Sequence, residues 1–142
     1  MTYRLQFFDI AEGAVADMRG SVVMTGVAPE FLVGSIPFVA SPTFVLLAAE
    51  EEPYTDWSGR QATATLAISD PEGVELTRMP FPINMSGKRW ADLPGRMAVM
   101  IQYPITIEKR GRYTATMRVA SVDEVLADAT MSFLAVDQSE AS

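Results

Sequence analysis

Met97, Val99, Ile101, Tyr103, Ile105 and Ile107 are apolar at every second position. The chain then passes through Glu108, Lys109, Arg110 and Gly111, and Tyr113, Ala115, Met117 and Val119 resume the same period. Side chains two apart on a strand share a face, so this spacing predicts a long hairpin over 97–119 with one apolar side. A lone hairpin is marginal in water, and that side requires a second sheet to cover it.

The rest of the chain repeats the theme with weaker signals. Residues 3–10 read as a first strand, with 14–16 continuing it past a bend at Glu12 and Gly13, and 21–25 as its hairpin partner beyond Asp17 to Gly20. Over 26–43 the prolines at 29, 37 and 42 predict a packed loop or an irregular edge strand. The unbroken apolar run 44–49 predicts a strand covered on both sides. Residues 62–68 alternate, Asp70-Pro71-Glu72-Gly73 forms a turn, and 74–79 return as a partner that Pro80 and Pro82 confine to an edge or a bulge. Two long loops follow residues 49 and 83. A last strand spans 125–136, and the acidic stretch 137–142 is expected to be a disordered tail. The sum is one domain over 1–136, all-β, a single antiparallel β-sandwich of seven or eight strands, Ig-like or C2-like, with a barrel as the second choice.

Several of these turns also point outside the chain. Asp70-Pro71-Glu72-Gly73 between two strands, the later Leu93-Pro94-Gly95, the long alternating strand and Gly111-Arg112-Tyr113 resemble a family of small bacterial domains, frequent in actinobacteria and known only as a domain of unknown function. Gly20 to Gly26 is similar to that family's first hairpin. The chain departs from the pattern at 121–124, where the family has an Asp-Gly pair, and in the acidic loop around Glu51. The resemblance implies a β-sandwich and supplies no catalytic residues. Nine arginines against two lysines fit a GC-rich bacterial source.

Composition narrows function mainly by exclusion. There is no cysteine and no histidine, which removes thiolate nucleophiles, Cys/His zinc sites, the serine–histidine triad and the commonest general base. No carboxylate spacing selects a glycosidase pair, and no lysine stands in a Ser-x-x-Lys arrangement, so the chain is expected not to be an enzyme. Asp9 and Glu12 interrupt the first apolar run, which predicts no secretion signal, no membrane span and a cytoplasmic protein. The net charge of −7 disfavours nucleic acid and anionic lipid as partners, although residues 78–118 carry eight basic and two acidic side chains.

The candidate sites are loop residues. Glu51 and Asp56, with Glu50, Glu52, Asp70 and Glu72 near by, have the oxygen chemistry for Ca²⁺, but no calcium-loop spacing, so a solvated charge run without metal or cofactor is the expectation. Tyr54 with Trp57, and Trp90 with Lys88 and Arg89, are the residue types that anchor protein contacts. Lys109, Arg110 and Arg112 make the 97–119 hairpin the positive surface of a negative protein. The expected function is a non-catalytic protein-interaction or assembly module that binds a protein partner or self-associates, as a homodimer for example. The alternatives are a structural part of a phage- or capsid-like particle and a calcium- or carbohydrate-binding sandwich.

Overall fold

The computed structural model describes residues 2–16, 22–26, 31–51, 60–84 and 96–140. In chain order the strands are β1 (Tyr3–Ala11), β2 (Gly13–Ala16), β3 (Val22–Thr25), β4 (Phe31–Gly34), β5 (Phe38–Ala40), β6 (Thr43–Glu50), β7 (Gln61–Ser69), β8 (Glu75–Asn84), β9 (Arg96–Gln102), β10 (Ile105–Ile107), β11 (Gly111–Ala120) and β12 (Val125–Asp137). The fold is all-β, as the alternation predicts. A three-stranded sheet, β1-β6-β9, faces a five-stranded sheet, β4-β12-β11-β7-β8, and β2-β3 and β5-β10 form two small ribbons.

The inner faces make one core. Phe44, Leu46, Ile10, Val99 and Ile101 come from the small sheet, and Leu66, Ile68, Tyr113, Met117, Val119 and Phe133 from the large one. Strand β6 is buried along almost its whole length, since Val45 and Ala49 on its outer face are covered as well as Phe44 and Leu46 within. β1 lies against β12, which closes the sandwich along that side and curls it toward a half-barrel.

The predicted hairpin over 97–119 does not form. β9 pairs with β6, whereas β11 pairs with β12 and β7, so the two halves belong to opposite sheets. The ladder to β6 ends where the Tyr103 amide donates to the Pro42 carbonyl at 3.2 Å. Beyond Pro104, β10 pairs with β5, and the chain then crosses to the other sheet. Period two shows which side chains share a face, and it is the same whether two strands lie side by side or face to face across a core.

Three other boundaries shift. Strand β1 pairs with β6, and only its continuation β2 pairs with β3. The proline-rich stretch gives two short strands, of which β4 is a parallel edge beside β12, so the large sheet is mixed. The expected tail begins inside β12 and continues as a 3₁₀ turn, Gln138–Glu140, instead of leaving the fold. Among the described residues twelve strands stand where seven or eight are expected, because Glu12 and Tyr103-Pro104 each break a strand and the proline-rich stretch gives two short ones.

Candidate interaction surface

The crossing from β10 to β11 is fastened by Tyr113. Its hydroxyl donates to the Lys109 carbonyl at 2.8 Å and accepts the Lys109 amide at 3.3 Å, a tyrosine corner at the bend between sheets. Its ring stacks on Phe133, 5.5 Å between centroids. Gly111, at φ 127°, lies beside Pro71, where a Cβ would come within 2.9 Å of the proline ring.

The neighbouring turn is held by Asp70. Its Oδ1 accepts the amides of Glu72 at 2.8 Å and Val74 at 3.0 Å, and Lys109 Nζ stands 3.3 Å from its Oδ2 and 3.1 Å from Glu72 Oε2. The Val74 amide, then that of Glu72, and Lys109 hold the Asp70 carboxyl below the usual value of 3.8. Glu72 first and Asp70 second push the Lys109 ammonium above its own. Of the basic residues expected to face a partner, the three that are described have partners in the chain. Lys109 bridges the two turns, Arg110 pairs with Glu140 at 2.6 Å, and Arg112 donates to Ser132 Oγ at 3.1 Å. Exposed pairs of this kind hold geometry more than they add stability.

At the acidic end, Glu50 is buried rather than part of a solvated run, and the Tyr3 hydroxyl donates to its Oε1 at 3.5 Å. Burial first, and the Glu50 charge second, push the Tyr3 phenol far above 10.0. Glu51 is exposed. Tyr54, Asp56, Trp57, Lys88, Arg89 and Trp90 lie outside the described residues. Among the described residues no cluster of three acidic side chains is placed to hold a metal ion, and no helix is long and apolar enough to cross a membrane.

The surface that the sequence left unread lies opposite the closed side. The large sheet extends past the small one there, so the inner face of β8 overhangs. Met79 is 40% exposed, and Phe81 and Ile83 are only half-buried although they sit in register with the buried Leu66, Ala64 and Ala62. Between Phe81, Pro82 and Ile83 on one wall and Ala98 to Ile101 on the other runs an apolar groove of about 430 Å³. Tyr103 closes one end, its ring edge-on to Phe81 and its hydroxyl 3.0 Å from Thr77 Oγ1.

The two strand edges along this groove differ. In β8, Pro80 and Pro82 are two apart and so direct their backbone groups the same way. The ladder to β7 survives because that way is outward, leaving two successive rim positions without donors. In β9 no proline intervenes. The bond from Tyr103 to Pro42 marks 42↔103 as a bonded pair, so Ile101, Val99 and Met97 bond β6 in turn, and Ala98 and Met100 aim their amides and carbonyls away from it. Among the described residues β6 is the only strand that pairs with β9. The signal for this surface was present, since Met79, Phe81 and Ile83 alternate between the two prolines. Its meaning depends on the unequal widths of two sheets, which no local pattern records.

A scan of the chain against models of known protein families gives no match, and a search of curated proteins gives none either.

Proposed function

We propose that the chain is a non-catalytic protein-interaction module that works through the open side of its sandwich, between β8 and β9. The observation that carries this reading is the overhang of β8. Among the described residues, a strand edge with proline-free backbone and no second partner stands beside apolar side chains that are half covered, which is the chemistry of a surface completed by another chain. The reading does not rest on the ionic groups around Asp70, Lys109 and Arg110, which have partners within the chain. The test is affinity capture from a cell extract with the parent chain and with a Phe81→Ser/Ile83→Ser variant that makes the groove polar. Partners retained by the parent and lost with the variant support the reading. A captured set that is identical for both, with the variant folded by circular dichroism, removes it.

A further inference from the structure

The groove has features that choose among occupants. Its walls are apolar side chains, and among the described residues no polar side chain lines it to orient a small molecule. The polar groups within reach are the outward amides and carbonyls of Ala98 and Met100, and the natural match for a row of alternating backbone donors and acceptors is another backbone. A second copy fits badly. Its β9 would arrive with its own overhanging β8, and the two β8 strands would claim the same space above the shared ladder. A single extended segment meets no such conflict. Added beside β9, it widens the small sheet to four strands and turns every second side chain into the space below Phe81 and Ile83. The one formal charge on β9 is the exposed Arg96, and it favours a carboxylate at that end of the segment.

Resting on the interaction-module reading above, we infer that β9 accepts one extended peptide segment from a different polypeptide as an added strand, apolar at alternate positions and acidic at the end beside Arg96. Specificity then comes from the side chains that enter the groove, and affinity from the ladder to Ala98 and Met100.

The experiment uses an equimolar pool of heptapeptides with Val, Ile, Leu or Phe as the second, fourth and sixth residues, Thr between, and Glu last, where antiparallel addition sets it beside Arg96. Amide hydrogen exchange is followed residue by residue on the full chain. The expected result is at least tenfold slower exchange at Ala98 and Met100 on adding the pool, with Val99 and Ile101 unchanged because they already bond β6. A matched pool with proline as the third and fifth residues should give no protection, a control that leaves the protein unaltered. Met100→Pro should abolish the effect while keeping the parent's circular dichroism. Three results overturn the inference: no protection by the pool, full protection of Ala98 and Met100 in the isolated chain, or a dimer in sedimentation that Met100→Pro dissociates. Failure here leaves the broader reading separately decided, because capture that depends on Phe81 and Ile83 but is indifferent to Met100→Pro would keep the module and discard the added strand.

Discussion

Tyr113 and Lys109 are bonded in both directions, phenol to carbonyl at 2.8 Å and amide to phenol at 3.3 Å. The same lysine reaches out through its side chain to Asp70 at 3.3 Å. One residue thus ties the sheet crossing to the turn between β7 and β8. Tyr113→Phe keeps the stack on Phe133 and deletes both bonds, so it should cost about 1–2 kcal/mol. Urea denaturation with an unchanged slope would measure that loss; a cost near zero would show that the corner does not hold the crossing.

Asp70 makes stability depend on acidity. Its folded pKa lies below 3.8, so the unfolded chain binds the proton more readily. The contribution is complete above 3.8 and is lost as pH falls through the folded value. Asp70→Asn retains an oxygen for the Glu72 and Val74 amides but gives up the charge facing Lys109. The variant should melt several degrees lower at neutral pH and lose less on acidification, the remaining slope coming from Glu75 and Asp137, whose carboxyls are also lowered. Parallel melting curves for the two chains at every pH would contradict this.

Tyr3 acts at the other end of the scale. With its folded pKa above 10.0, its contribution is present below that value and lost as pH rises past it, because the buried phenolate would form beside Glu50. Tyr3→Phe should cost about 1–2 kcal/mol at neutral pH and flatten the alkaline decline. Lys109, also raised, adds its own loss above 10.5, which Lys109→Met isolates. Urea midpoints taken from neutral pH into the alkaline range separate the two.

Pro80 and Pro82 remove two donors from the middle of the β8 rim. Replacing both with threonine restores two outward amides on an exposed strand. The expected outcome is concentration-dependent association beyond that of the parent, seen by light scattering. Unchanged scattering would mean that the rim is protected by something other than its prolines.

Much of the sandwich is legible from the alternation of small runs. Ala62, Ala64, Leu66 and Ile68 announce a half-buried strand, and Phe44 to Ala49 a buried one, because hydrophobic period reports directly on faces. Neighbours are another matter. Val99 and Met117 carry the same signal, yet one lies in a strand paired with β6 and the other in a strand between β12 and β7, and that choice is made by packing between residues far apart in the chain. Gly111-Arg112-Tyr113 held the missing clue, since a tyrosine four residues after Lys109 fits a corner between sheets better than a hairpin turn. Lys109, Arg110 and Arg112 are readable as charges, but not that Lys109 is paired with Asp70, Arg110 with Glu140, and Arg112 hydrogen-bonded to a serine hydroxyl. The groove beside β9 was out of reach, because an overhang exists only once the strands of both sheets are in place.

The parallel pairing of β4 with β12 sets a clock on assembly. Phe31 finds its partner at Leu134, about a hundred residues later in the chain. At synthesis rates of roughly 5–20 residues per second, β4 emerges on the order of 5–20 s before the strand it must lie against. β12 also separates β4 from β11, so the large sheet cannot be completed piecemeal. During that interval the hairpin β7-β8 can form locally, while β1 and β6 wait for a surface to cover. A nascent chain of this design is therefore most exposed to misassociation on the ribosome, before β12 has been translated.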